Sequence, residues 1–199
     1  MSDQTLLDFD IIFEAKRHGL LVPFEERQLK GASYDIRVGD YAVLARSQKE
    51  GHQRIALKEQ GQVEILPGQT VALYSLERVG IPQDMKGRLS LRSYWAIKGL
   101  YFNGGIVDPG YTGLLFFNVT NLGTAPITIA YAEGLVTTEF VRLDQPSQRI
   151  YNEGAPLLEI PEERLPPLPA QPAADIVQLQ TTIAGLLERV ARLEGQRAN

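Results

Sequence analysis

A chain of 199 residues, 44% hydrophobic and 22% charged, has the composition of a globular domain with room for an appendage. With no cysteine and only two histidines it can form no disulfide, no thiolate zinc site and no cysteine nucleophile, and a His-rich metal centre is disfavoured. A net charge of −4 argues against general nucleic-acid binding, which needs a basic face, yet allows a small anion held by a local arginine cluster. No apolar run approaches the roughly 20 residues of a bilayer span, and Met1-Ser2-Asp3-Gln4 lacks the basic-then-apolar opening of a signal peptide, so the chain reads as cytoplasmic with no membrane partner.

Asp8 to His18 reads as a short helix, with Asp8 as the amino-terminal cap, Phe9, Ile12 and Phe13 near one face, three basic residues in the last turn, and Gly19 just beyond the end. Leu20 to Pro23 leaves it extended. From Tyr41 to Ile81 the chain is a series of short β-rich segments: Tyr41 to Leu44, Arg54 to Leu57, Val63 to Ile65 and Thr70 to Tyr74. Turn signals such as Pro67-Gly68 separate them, and the polar stretch from Arg46 to Gln53 reads as a loop. No long helical period interrupts the series, so the pattern predicts an all-β barrel or sandwich.

The densest stretch follows, from Gly87 to Val119. It gathers Arg88, Ser90, Arg92 and Ser93, the only tryptophan, the Asn103-Gly104-Gly105 turn and the Asp108-Pro109-Gly110-Tyr111 turn. Arginine and serine can hold phosphate oxygens through charge-assisted and hydroxyl hydrogen bonds, and glycine lets the backbone approach a ligand. The same Asp-Pro-Gly-Tyr run is also a good β-turn sequence. Gly113 to Val119, Ile127 to Ile129 and Leu135 to Val141 then read as further strands.

Three regions result: a β-barrel domain over 1–143, a proline-rich, strapped-down tail becoming a semi-rigid linker over 144–174, and a helix over 175–199. In that helix Ile176, Leu179, Ile183, Leu186, Val190 and Leu193 follow steps of three and four, with β-branched residues at a and leucines at d. Arg189 at g and Glu194 at the next e suit pairing between parallel chains, so the helix is expected to self-associate or to bind another protein.

Gly105 to Gly113, followed by Asn121-Leu122-Gly123, resembles the third motif of the dUTPase/dCTP deaminase superfamily. Gly87 to Ser93 is similar to its second motif, and Ser33-Tyr34-Asp35-Ile36 to its first. The resemblance covers about Leu6 to Leu143, in the manner of a divergent dCTP deaminase-like branch. It implies a homotrimer of distorted, jelly-roll-like β barrels with pockets at subunit boundaries for dUTP or dCTP, and Mg2+ carried with the triphosphate near Asp35. By the same resemblance, Asp108 is either the general base on an attacking water or an anchor for the sugar 3′ hydroxyl. Tyr111 stacks under the deoxyribose, Asn103 and Gly105 belong to the hairpin that reads the base, and Arg88, Ser90, Arg92 and Ser93 contact phosphates.

The sequence also departs from that pattern. Asn118 stands where the deaminases carry the glutamate that activates water, and an amide takes no proton from water at neutral pH. Leu89 replaces a serine, Ala132 and Thr137 replace the Gly and Gln of a fourth motif, and no glycine-rich C-terminal arm follows Leu143. Three readings stay open: an enzyme of dUTP or dCTP metabolism with Asp108 as its base, a nucleotide-binding regulator without turnover, and a trimeric platform for the C-terminal helix.

Overall fold

The computed structural model describes residues 3–151, 156–169 and 173–197, the side chains of the last segment over 181–193. The strands are β1 (Gln4–Thr5), β2 (Leu21–Val22), β3 (Tyr34–Ser47), β4 (Gly51–Ala56), β5 (Gln62–Ile65) and β6 (Thr70–Gly80), then β7 (Met85–Leu91), β8 (Leu100–Phe102), β9 (Gly105–Val107), β10 (Thr112–Asn121), β11 (Ile127–Ala130) and β12 (Gly134–Arg142). Between and after them lie α1 (Asp8–His18), α2 (Leu57–Gln60), α3 (Ser93–Ile97) and α4 (Ala173–Arg197).

Among the described residues ten strands form one curled sheet in the order β8-β10-β6-β3-β12-β7-β9, with β1 on β12, β2 on β6 and β4 on β3, while β5 and β11 pair separately. The all-β, barrel-like class expected from turn spacing is the class observed. The curl comes from β3, whose first residues pair with β12 (Arg37 opposite Gly134) and whose later ones pair with β6 (Val38 opposite Ser75). The β3–β6 register slips between Val38 and Ala42, and Gly39 sits in that slip because a Cβ there would collide with the Ser75 carbonyl. Inward faces carry Tyr34, Ile36, Leu73, Trp95, Phe117 and Phe140, all essentially without solvent contact.

At the change of partner sits a buried ion pair. Glu77 on β6 has no exposure and accepts the Arg37 guanidinium Nε at 2.6 Å, the Arg37 backbone N–H at 2.9 Å and the Tyr34 hydroxyl at 3.2 Å. Ser75 extends the join by donating to the Glu77 carbonyl at 2.6 Å and accepting from the Leu115 N–H at 2.8 Å, so it links the slip in β3–β6 to the irregularity in β10 between Leu114 and Phe116.

Some expectations need correction. Leu7, not Asp8, is the cap residue of α1, and Asp10 reaches back to the Leu7 N–H at 3.2 Å. Ile11 and Ala15 form the buried face, while Phe9 and Phe13 point outward, because docking on the barrel selects the stripe opposite to the one the aromatics mark. The expected loop from Arg46 to Gln53 is a hairpin: β3 runs on to Ser47 and β4 resumes at Gly51. Gly19 does close α1 in the left-handed region, at φ 68°.

The tail beyond β12 returns to the barrel. Leu157 lies in parallel beside Gly113, donates to the Thr112 carbonyl at 2.9 Å and accepts from the Leu114 N–H at 2.7 Å. Gly113 is needed there, since a Cβ would strike the Leu157 carbonyl. The His52 ring Nε2 meets the Pro166 carbonyl at 2.8 Å, and the Gln48 N–H donates to the Pro169 carbonyl at 3.0 Å, so residues 156–169 act as a strap. α4 forms as the heptads predict, and Ile183, Leu186, Val190 and Leu193 are exposed rather than packed on the barrel. Ile176 and Leu179 lie outside the residues whose side chains are described. No described helix is long and apolar enough to cross a membrane.

Burial lifts the Glu77 pKa above the usual carboxylate range, with Arg37 holding part of that rise down. A raised folded-state pKa means that the stability tied to this group is full below its unfolded value of about 4.3 and declines as pH rises through the folded value. Arg37→Met strands the charge and is expected to lower unfolding free energy by about 3–5 kcal/mol at neutral pH. Urea melts should show a smaller deficit at acid pH, where Glu77 is protonated in both states.

Candidate functional site

The Asp108 turn is fixed from both sides. The Tyr111 N–H closes it on the Asp108 carbonyl at 3.1 Å, Gly110 takes φ 82°, the Gly110 N–H donates to the Ile81 carbonyl at 3.0 Å, and Tyr151 of the tail donates its N–H to the Pro109 carbonyl at 2.8 Å. This turn borders a cavity of about 460 Å³. It is lined by Phe102, Gly104 and Gly105 around the β8–β9 connection, by Leu115, Phe116 and Asn118 of β10, and by Tyr151 with Glu163, Arg164 and Leu165 of the strap. The expected base-reading hairpin is not a paired ladder, because β8 pairs with β10 and β9 with β7 as the sheet curls. The volume falls in the range of small-molecule sites.

Asp108 is exposed at the cavity, and its carboxylate has no hydrogen bond or ion pair among the described residues. Tyr111, at the end of the same turn, is buried, its hydroxyl donating to the Leu114 carbonyl and its ring 5.4 Å from that of Tyr151. Burial pushes the Tyr111 phenol above its ordinary range, so it stays neutral. Asn118 donates from Nδ2 to the Arg164 carbonyl at 3.0 Å, and Arg164 donates from Nη2 to the Tyr151 hydroxyl at 2.7 Å. That hydrogen bond raises the Arg164 pKa further, keeping the guanidinium charged.

The other residues singled out from sequence lie elsewhere. Arg92 caps α3, accepting from the Trp95 and Ala96 N–H groups at 3.0 and 3.2 Å, while its Nε meets Asp35 Oδ2 at 3.0 Å and its Nη1 donates to the Gly134 carbonyl at 2.9 Å. Trp95 Nε1 donates to the same carbonyl at 2.9 Å. Asp35, buried, also accepts the Thr137 hydroxyl at 2.7 Å, with Lys30 at 3.8 Å. Arg88 and Ser90 are exposed on β7, Ser93 begins α3 exposed, and Asn103 sits in the short connection from β8 to β9, accepting from the Tyr101 hydroxyl at 3.2 Å. The cavity therefore unites Gly105, Asp108, Tyr111 and Asn118. Within one chain Arg88, Ser90, Arg92 and Ser93 are not among its lining residues.

The donor set does not make a protein-held magnesium centre. Asp35 spends its oxygens on Arg92 and Thr137, and no group of three His, Asp or Glu side chains among the described residues is placed to hold a metal. The sequence predicts a strapped-down tail but does not assign Tyr151, Glu163 and Arg164 to the site, because a proline-punctuated polar segment has no periodicity to show which of its residues dock where. The only available signal was the isolated apolar and aromatic residues, Tyr151, Leu157 and Leu165, within it.

A family model described as dCTP deaminase-like matches residues 10–137. The chain belongs to that family. A dCTP deaminase of Thermococcus gammatolerans is 36% identical over 132 residues, covering 66% of this chain and 80% of the relative. One of Pyrococcus horikoshii is 31% identical over 140 residues, covering 70% and 86%. Among solved structures, the 2′-deoxycytidine 5′-triphosphate deaminase of Agrobacterium tumefaciens superposes with a TM-score of 0.62 at 17% identity over 71% of this chain and 49% of that one, so the two share a fold. The dCTP deaminase-like match stops at Thr137, before Tyr151, the strap and α4.

Asp35 joins β3, β12 and the start of α3 through one carboxylate. Asp35→Asn keeps an acceptor oxygen but loses the charge opposite Arg92 and sets an amide N–H2 among donors. Its urea midpoint at neutral pH should fall by the equivalent of about 1–3 kcal/mol, and an unchanged midpoint would show that Arg92 finds other acceptors.

Proposed function

We propose that this dCTP deaminase-like protein is an enzyme that hydrolyses a pyrimidine deoxynucleoside triphosphate, dUTP or dCTP, in the cavity beside Asp108. The observation that carries the reading is the Asp108 carboxylate, unpartnered among the described residues, on a doubly anchored turn that lines the cavity together with the buried Tyr111. A carboxylate so placed can take a proton from water as the water oxygen attacks phosphorus, with the bond to the leaving pyrophosphate breaking. Tyr111, neutral and held by its hydroxyl, offers a flat apolar face to a deoxyribose. Relatives named as dCTP deaminases at 31–36% identity support the substrate class.

The absence of Arg88, Ser90, Arg92 and Ser93 from the lining of their own chain's cavity supports a site completed by a neighbouring copy, whose arginines would meet the triphosphate. That arrangement calls for a homo-oligomer, and a homotrimer is our reading. Magnesium fits as an ion carried on the triphosphate's own oxygens. The exposed a and d positions of α4 favour self-association as a coiled coil, secondary to the barrel. Asn118 favours a second reading, a nucleotide-binding regulator, since its amide takes no proton and is tied to the strap.

Incubation with dUTP or dCTP and magnesium, followed by anion-exchange separation, should show dUMP with pyrophosphate, or dUTP. Asp108→Asn should lower turnover by roughly 100-fold or more if the carboxylate is the base, with calorimetric affinity little changed. Loss of affinity in step with turnover would assign Asp108 to the 3′ hydroxyl instead, and silence with tight binding would favour the regulator. Light scattering should give three chains per particle, also after removal of 170–199. A stable monomer would end the shared-site reading.

A further inference from the structure

The cavity holds a second carboxylate. Glu163 lies in the one-turn helix Glu162–Arg164 of the strap, closed by the Arg164 N–H on the Pro161 carbonyl at 2.9 Å and the Leu165 N–H on the Glu162 carbonyl at 3.1 Å. The next residue is pinned at both ends, its carbonyl by Asn118 at 3.0 Å and its guanidinium by Tyr151 at 2.7 Å, and Leu165 packs beside the cluster of Val43, Ala72 and Tyr74. The main chain of Glu163 is thus set between two anchors. Its carboxylate makes no hydrogen bond or ion pair among the described residues, though its charge acts on the neighbouring Arg164 guanidinium, and Glu163 lines the cavity together with Asn118, whose side chain is an amide.

The surroundings suit a neutral ring. Phe102, Ile106, Leu115 and Phe116 line the same space, giving apolar faces for a flat heterocycle. A triphosphate would be repelled by Glu163 and is better placed toward the arginines of a neighbouring copy. Two carboxylates from different elements, one on the β9–β10 turn and one on the strap, then bracket the two reactive ends of a bound nucleotide.

We propose that Glu163 is a catalytic residue of this cavity, the general base for hydrolytic deamination of a cytosine deoxynucleotide, and that Asn118 is a positioning residue that holds the strap. The proposal rests on reading the cavity as a nucleotide site. Glu163 takes a proton from water while the water oxygen bonds to C4 of the ring, and the C4–N3 π pair moves to N3, which receives that proton. The remaining hydroxyl proton passes through the same carboxylate to the exocyclic amine, the C4–N bond breaks, and ammonia leaves as the C4 carbonyl forms. One water is consumed per ammonia and no redox partner is required.

The test measures ammonia release from dCTP by wild type, Glu163→Gln and Asn118→Ala, with calorimetric dCTP affinity and melting midpoints alongside. Glu163→Gln should melt like wild type and bind dCTP within about twofold, yet release ammonia roughly 100-fold more slowly and lose the acidic limb of the kcat/KM profile. Asn118→Ala should release ammonia more slowly than wild type but keep that limb, because it moves the base without removing it. Three results would overturn the assignment: a wild type that binds dCTP and releases no ammonia, a Glu163→Gln enzyme keeping more than about a tenth of the rate, or one losing affinity in step with rate. A wild type that binds neither dCTP nor dUTP overturns the nucleotide-site reading itself, which separates the two failures.

Discussion

The fold turns on one carboxylate that water cannot reach. β3 must leave β12 and join β6 within a single residue step, and at that step the ordinary strand ladder cannot satisfy every group. Glu77 fills the gap by accepting from the Arg37 side chain, the Arg37 backbone and the Tyr34 hydroxyl at once. A buried ion pair is weak evidence of net stability. Its value here is geometric, since any other angle between the two halves of the sheet would leave the Glu77 charge unpaired. Ser75 carries the constraint into β10, whose irregular stretch from Leu114 to Phe116 supplies part of the cavity floor. The shape of the candidate site is thus set from the barrel interior.

The far wall of that site has a different origin. Tyr151 and the strap lie beyond the region matched by the family, yet they close one side of the cavity and attach through Asn118, Thr112, Leu114 and Pro109. Asn118 links the matched region to this addition. A glutamate at 118 would present a second acceptor to the Arg164 carbonyl, and two acceptors cannot share a hydrogen bond without a proton between them. The amide, which looks like a loss when the strand is read alone, is the group that can donate to the strap.

The sequence made many of the strands, the glycine turns and the heptad helix legible, since each is a local pattern: short β-rich runs bounded by turn signals, a left-handed Gly19 after α1, steps of three and four in α4. It misled where tertiary docking chose between two local options, as when α1 turned Ile11 inward and left Phe9 outside. Asp108 and Tyr111 were legible together because one turn holds them, and Gly105 lies just upstream at the start of β9. Arg92 and Asp35 were named separately, and nothing in either segment could show that they pair with each other. Glu163 and Arg164 were out of reach, for their placement depends on contacts with Tyr151 and Asn118 and on no pattern of their own.

The pairing of Arg92 with Asp35 also sets the terms on which a phosphate could be met. A guanidinium whose Nε and Nη1 are already directed to Asp35 and the Gly134 carbonyl is held in one plane, so a donor left over is aimed before any ligand arrives. Arg88, exposed on β7 with no ion pair among the described residues, lacks that restraint and would have to lose side-chain freedom on binding. Arg92 is therefore the better candidate for a rigid anion contact and Arg88 for an adaptable one. Neither lines the cavity of its own chain, so a neighbouring copy is the simplest source of the phosphate they would hold.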